Sequence, residues 1–289
     1  MLIETRIETA LKAALARAKA GAAPPRLADA IDYALFPGGA RVRPRLCLAV
    51  GRACGAGDDP ALDAAAAAIE LMHCASLVHD DLPCFDDADL RRGKPSVHRA
   101  YGEAIAVLAG DAMIVLAFDN LGVAAGERGA LLARLVRVLS GAVGMPHGII
   151  AGQGWESEPK VDLAAYQRAK TGALFMASAQ AGAAIAGMEP QAWVSFGMRL
   201  GEAYQVADDL SDVLSDINET GKPRGQDDAH GRPSAVREYG LGESVARLKT
   251  LMAGAIDAIP DCPGRDALGK HIAGETARFA PRALAQCAA

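Results

Sequence analysis

Apolar positions near the start of the chain recur at near-helical spacing. Leu2, Ile7, Leu11 and Leu15 predict an amphipathic helix over residues 2–20, with its apolar stripe against a core. GAAPP at 21–25 is a turn by its glycine and prolines, and a second helix follows through Leu35. Residues 61–79, ALDAAAAAIELMHCASLVH, predict a helix of small residues, and Tyr101 to Leu121 another. Residues 241–289 read as terminal helices without a chemical motif. The chain is 51% hydrophobic but only 4% aromatic, so its core is aliphatic and rich in alanine, the best helix former. The pattern predicts an all-α fold. No Ser/Gly/Pro-rich linker or sharp charge shift divides the chain, so residues 1–289 read as a single domain.

Polar residues break this pattern at one place above all. Between Leu71 and Arg99 five aspartates, Asp80, Asp81, Asp86, Asp87 and Asp89, fall within ten residues, after an apolar run and before the pair Arg91-Arg92. Carboxylates that dense repel one another unless a cation neutralises them. A solvated acidic turn is the plain alternative. Against it stands a second group, Asp208, Asp209 and Asp212, on another apolar segment. In a helix Asp208 and Asp212 share a face, with Asp216 a turn further on and Asp209 beside them. Such a stripe offers the hard oxygen ligands that magnesium or calcium takes. Asp80 and Asp86, six apart, point in different directions on an ideal helix. Pro83 disfavours an unbroken helix there, so the helix is expected to end or bulge between Leu82 and Phe85 and to let Asp86 swing back toward Asp80. Two such clusters facing each other across a cavity suit a polynuclear magnesium site for a phosphate-rich substrate.

Charge and cysteines narrow the class. A net charge of −5 leaves no basic face to release counterions, which argues against nucleic acid. An acidic chain that binds phosphate needs bound metal to invert the local field. The six cysteines show no CxxC pair, which fits a reducing cytoplasm, and Cys47, Cys54 and Cys74 read as small core residues. The N-terminus carries charges throughout and lacks an apolar signal core. No uninterrupted apolar run reaches the roughly 18–20 residues of a membrane span, so no transmembrane segment is expected.

Basic groups gather beside a glycine turn at FPGGARVRPRL, where Gly38-Gly39 is followed by Arg41, Arg43 and Arg45. Guanidinium grips phosphate oxygens in a bidentate way, although arginines at a helix start are often only solvated. His73 lies seven before Asp80, two turns earlier and so on the same face. A lone histidine in such a helix is usually a satisfied core residue.

The ordered set of motifs resembles the trans-prenyltransferases, or polyprenyl diphosphate synthases, over nearly the whole chain. The first cluster is similar to their first aspartate-rich motif in its bacterial form, with two extra residues between the aspartates and the trailing arginine pair. YQVADDLSDV resembles FQxxDDxxD. Gly110-Asp111 matches a GD pair, Gly152-Gln153 a GQ site and Lys170-Thr171 a KT pair, while Gly221 to Asp227 resembles GKxxGxD. Arg43-Pro44 fits GGKxxRP, but Ala40 stands where that pattern has lysine, leaving Arg41 or Arg45 to compensate. No lysine-threonine-proline segment follows Asp227.

The resemblance implies a helical bundle around a central cavity, a homodimer, and isoprenoid biosynthesis such as that feeding carotenoids. It implies Mg2+ held by Asp80, Asp86 and Asp208 with help from Asp81, Asp209 and Asp212. It implies an allylic diphosphate (dimethylallyl, geranyl or farnesyl) bound by Lys170, Thr171, Gln205, Arg91 and Lys222, and isopentenyl diphosphate bound by Arg43, His73 and Arg92. Ala75 and Ser76, five and four before Asp80, stand where the family's bulky side chains floor the product pocket. A small pair implies a deeper tunnel and a product beyond C15, with Met72, Leu71 or Phe118 as the floor. Three rivals are weaker. An HD phosphohydrolase at His79-Asp80 lacks further histidine ligands and leaves Asp208 idle. A terpene cyclase lacks its asparagine/serine/glutamate triad. A non-catalytic regulatory subunit would be expected to lose aspartates, and only Ala40 favours it.

Overall fold

The structure, a computed structural model, describes residues 3–36, 38–160, 163–214 and 235–279. Among the described residues, regular structure is helical apart from one hairpin of two-residue strands, as the alanine-rich pattern predicts. Contacts gather into two compact units. The first takes Met1–Arg52, Ala56–Ser140 and Ala181–Met188, and the second takes Ala53–Gly55, Gly141–Gln180 and Glu189–Ala289.

The first unit contains α1 (Ile3–Ala18), α2 (Pro25–Leu35), most of α3 (Val42–Ala53), α4 (Pro60–Asp80), α5 (Val97–Tyr101), α6 (Glu103–Ala125) and most of α7 (Gly129–Val143). Its centre is α4. The Asp59 carboxylate accepts from the Ala61 amide at 2.8 Å and Pro60 takes the first helical position, which satisfies an orphan donor and pre-sets the backbone. Ala65, Ala66, Ala67 and Ala68 are all fully buried. Their small side chains let α4 pack along α6, whose Ala106, Ala109, Met113 and Ala117 are buried too. The helix expected over Tyr101 to Leu121 is broken near its start. Gly102 adopts φ +91°, a conformation glycine reaches without strain, so α5 closes at Tyr101 and α6 runs on to Ala125.

By length and composition alone α4 and α6 are each apolar enough to cross a bilayer, although Asp63 and Glu70 interrupt one and Asp111 and Asp119 the other. The apolar window of α4 is 72% buried inside the protein, that of α6 only 44%. The difference is a face of α6 that leaves Leu108, Val115 and Val123 exposed.

The second unit contains α8 (Ile149–Trp155), α9 (Leu163–Gln167), a π-helical turn (Arg168–Gly172), most of α10 (Ala173–Ile185) and α11 (Val194–Leu214). Among the described residues three further helices follow, Ala235–Tyr239, Leu241–Asp257 and Arg265–Phe279. Three of its aromatics lie in the core. Trp193, Phe175 and Phe196 are fully buried, and Trp193 meets Phe196 edge-on with centroids 5.7 Å apart, a favoured quadrupole arrangement. The expected core cysteines Cys47, Cys54 and Cys74 are buried, and burial pushes each thiol up to about 12.

Candidate active site

In the first unit α4 ends on Asp80. Pro83 has no amide to extend the ladder, and the chain folds back. The Asp86 amide donates to the Asp80 carbonyl at 3.0 Å, Asp87 to Leu82 at 3.0 Å and Ala88 to Asp81 at 3.1 Å. These bonds bring carboxylate oxygens of Asp80 and Asp86 within 4.8 Å of each other, the return expected from Pro83, although the helix ends at Asp80, short of the expected Leu82 to Phe85. Two hard oxygen donors so placed fit magnesium.

The other three aspartates are held by arginines. Asp81 is buried, and the Arg91 Nε donates to its two oxygens at 3.0 and 3.2 Å while Nη2 adds a further short bond. Burial, with the Asp86 charge adding to it, holds the Asp81 carboxyl above the ordinary carboxylate range against the pull of Arg91. Arg99 pairs with Asp87 at 3.0 Å and with Asp89 at 2.8 Å. The density of carboxylates therefore resolves into a close pair, Asp80 and Asp86, whose Asp80 oxygen also lies 4.0 Å from Arg91, and three shorter-range partners of Arg91 and Arg99. Asp81 and Arg91, expected as metal and diphosphate ligands, are here bonded to each other.

Arg91 reaches Asp81 because the arginine pair sits on a hairpin, β1 (Leu90–Arg91) against β2 (Lys94–Pro95). Arg92 and Gly93 form its turn with φ +53° and +74°, the two positive angles that a type I′ connection requires. Lys94 docks the hairpin on the end of α2, donating to the carbonyls of Tyr33 and Phe36 at 3.0 and 2.8 Å. Arg92 makes no hydrogen bond or ion pair among the described residues and is half-buried. Close by, Arg43 meets His73 Nε2 at 3.3 Å. A guanidinium only donates, so Nε2 is the acceptor and the ring proton sits on Nδ1. Burial, with Arg43, Arg92 and Arg91 adding to it, holds the His73 pKa well below the ordinary imidazole range. A neutral histidine beside a guanidinium adds no charge of its own, and the local field stays positive.

Neither residue proposed to replace the missing lysine at Ala40 is available. Arg41 turns inward and donates to Glu8 at 2.8 Å, to Glu70 at 2.6 Å and to the Leu35 carbonyl at 2.7 Å. Arg45 pairs with Glu4 at 2.6 Å. On α4, Ala75 is buried, and the half-buried Ser76 donates to the His73 carbonyl at 2.8 Å.

In the second unit Lys170 and Thr171 lie in the π turn, a rare form common at functional sites. Gly152 makes room for it, since a Cβ there would stand 2.6 Å from the Lys170 backbone nitrogen. The Lys170 ammonium forms a short ion pair with Glu156, whose carboxylate also accepts from Tyr166 at 2.7 Å and Gln153 at 2.8 Å. Glu156 belongs to no motif that the sequence singles out; its place three residues after Gln153 on one helical face was the available signal. Thr171 donates to Gln205 at 2.6 Å, and Gln205 donates to Asp209 at 2.8 Å. Asp208 is exposed and Asp209 buried. The side chain of Asp212 lies outside the described residues, as do Asp216, Lys222 and the rest of the Gly221 to Asp227 segment.

A sequence profile described as "Polyprenyl synthetase" matches residues 24–259. The chain is 55% identical to a geranylgeranyl diphosphate synthase of Cereibacter sphaeroides over 286 residues, 99% of each chain. It is 52% identical to one of Rhodobacter capsulatus over 276 residues, 94% of each. Among solved structures it resembles a geranyltransferase from Helicobacter pylori complexed with magnesium and isoprenyl diphosphate. That match has a TM-score of 0.78 and 28% identity, and covers 96% of this chain and 98% of the other.

Proposed function

This chain belongs to the polyprenyl synthetase family, and on that premise we propose that it condenses isopentenyl diphosphate head to tail with allylic diphosphates to make geranylgeranyl diphosphate. It is a prenyltransferase. The observation that carries the C20 product is the 55% identity over nearly the full length to a protein of that name. Buried Ala75, small where a bulky wall would stop a shorter chain, supports it.

Magnesium, when bound, supplies the positive charge that draws diphosphate away from the allylic carbon. Asp80 and Asp86 would hold it in the first unit, and Asp208, with Asp212 by the sequence pattern, in the second. Lys170, and Lys222 by the same pattern, add positive charge at the allylic diphosphate and favour departure of an anionic leaving group. Arg43, neutral His73 and Arg92 grip isopentenyl diphosphate, so that its double bond is presented to the allylic cation. The proton lost after bond formation passes to the departing diphosphate. Apolar walls keep water from quenching the cation.

Incubating the protein with isopentenyl diphosphate, magnesium and dimethylallyl, geranyl or farnesyl diphosphate, and weighing the products, tests this directly. A C20 product is expected from each starter. A stop at C15 overturns the chain length, and no condensation by folded protein overturns the enzyme in favour of a regulatory subunit. Ala75→Tyr is expected to shorten the product to C15; an unchanged C20 product removes Ala75 from the tunnel wall.

The exposed apolar face of α6, with Leu108, Val115 and Val123, supports a homodimer, because such a face is stabilised by covering it. Sedimentation at micromolar concentration is expected to give a dimer that Leu108→Asp with Val115→Asp dissociates. A wild-type monomer would refute the assignment.

A further inference from the structure

Between Asp80 and Asp89 the chain turns back on itself, and Asp87 lies there in the left-handed region, with φ +45°. Glycine or asparagine reaches that conformation more readily. Asp87 follows Asp86 directly, so its backbone angles set how the loop leaves Asp86 and which way that carboxylate faces. Three amides of the turn record the result. Asp86, Asp87 and Ala88 donate to the carbonyls of Asp80, Leu82 and Asp81, at the end of α4 or just beyond it.

What aspartate adds at this position is a carboxylate, and two donors from α5 face it. Its Oδ1 accepts from Arg99 Nη2 at 3.0 Å, and His98 Nε2 stands 3.6 Å from the same oxygen. The far end of the loop is tied to the same short segment. Arg99 pairs with Asp89 at 2.8 Å, and the Ser96 amide donates to the Asp89 carbonyl at 2.9 Å. His98 is the buried member of the group. Its side chain is 2% exposed, and Nδ1 lies 3.0 Å from the buried Ser96 hydroxyl. Nε2 is buried without a hydrogen-bond partner among the described residues, which is costly for a polar atom. A carboxylate only accepts, so a proton on Nε2 suits Asp87, and the neutral ring then accepts from Ser96 at Nδ1. Shortening 3.6 Å to an ordinary hydrogen bond takes a loop movement of about half an ångström.

We propose that Asp87 is a positioning residue and His98 the buried donor that secures it. Together with Arg99 they hold the left-handed turn that aims the Asp86 carboxylate at Asp80. The proposal rests on the transferase reading above, since the aim of Asp86 counts at the magnesium. Asp87 itself is no ligand; it shapes the loop that carries one.

The test uses Asp87→Ala, Asp87→Asn, His98→Leu and His98→Gln in the full chain. Amide hydrogen exchange of the metal-free protein, followed by mass spectrometry, reads the loop directly. Asp87→Ala removes the acceptor and strains the turn. Exchange at residues 86–88 is expected to rise about 10-fold while α4 stays at the wild-type rate, as for a local opening. Asp87→Asn keeps an oxygen acceptor and tolerates the left-handed backbone, so it should stay close to wild type. His98→Leu should raise loop exchange a few-fold, and His98→Gln, whose amide nitrogen reaches the place of Nε2, should recover most of it.

Magnesium titration of the condensation is the second readout. In Asp87→Ala the half-saturating concentration should rise about 10-fold, the lower end of the cost of losing a group that orients a ligand. Wild-type loop exchange in Asp87→Ala sinks the clamp. Wild-type exchange in His98→Leu removes the buried donor from it, and the proposal fails as stated. If the loop loosens but the magnesium requirement does not move, Asp87 positions nothing for the metal, and the proposal fails again. If the wild-type chain condenses nothing, it is the transferase reading that fails, and exchange alone decides the clamp. Should His98→Leu not fold by circular dichroism, the Asp87 variants, altered at a side chain 54% exposed, decide the outcome.

Discussion

Asp80→Ala is expected to lower kcat by roughly 10²–10³-fold or more, the scale for removing one preorganised electrostatic group from an active site. Its fold should persist, because Asp80 is the last residue of α4 and no part of the buried core. The neighbouring Asp81→Ala is expected to behave differently. It strips Arg91 of the carboxylate it grips with both Nε and Nη2, so stability falls along with activity. Turnover measured beside far-UV circular dichroism separates the two. Near-normal turnover in Asp80→Ala would remove Asp80 from the metal site, and an unchanged melting temperature in Asp81→Ala would show that the Arg91 pair holds nothing in place.

The largest expected effect on stability lies away from the chemistry. Arg41 and Glu70 form an ion pair at 2.6 Å with side chains only 4% and 2% exposed. Burial alone would lower the Arg41 pKa, and Glu8 and Glu70 more than reverse it. Glu70→Ala leaves a guanidinium in the interior with part of its charge uncompensated, a change that costs about 3 kcal/mol or more. Urea unfolding should show a lower midpoint at constant slope, the signature of lost stability without a changed denatured state. Glu70→Gln keeps an oxygen acceptor and should lose less. A loss below about 1 kcal/mol for Glu70→Ala would mean that Glu8 and the Leu35 carbonyl suffice for Arg41.

Much of this was legible in the residues. Periodicity located α1, α2 and α4, because each carries a long apolar stripe or a run of alanines. The end of α4 and the return of Asp86 followed from Pro83, whose missing amide is a strictly local constraint. The hairpin at Leu90 to Pro95 was not legible. Two-residue strands are too short to show alternation, and an Arg-Gly turn lacks the Asn-Gly or Asp-Gly signal that marks such connections. That omission matters, because spacing alone treats the five aspartates as equivalent. Which of them are bonded to arginine depends on where the hairpin carries Arg91 and where α5 carries Arg99. Arg41 shows the same limit. Its side chain was expected at a phosphate, and the acceptors that turn it inward, Glu8 and Glu70, lie 33 and 29 residues away along the chain. Glu156 was hidden for the same reason, its ammonium partner being 14 residues on.

The left-handed turn at Arg92 sets heat resistance against turnover. A side chain at φ +53° costs about 1 kcal/mol or more that glycine or asparagine would not. A laboratory selection for thermostability, blind to catalysis, would therefore be drawn to position 92 and would discard the guanidinium assigned to isopentenyl diphosphate. A library built to harden this enzyme has to fix that codon, or screen every survivor for its affinity toward the homoallylic substrate.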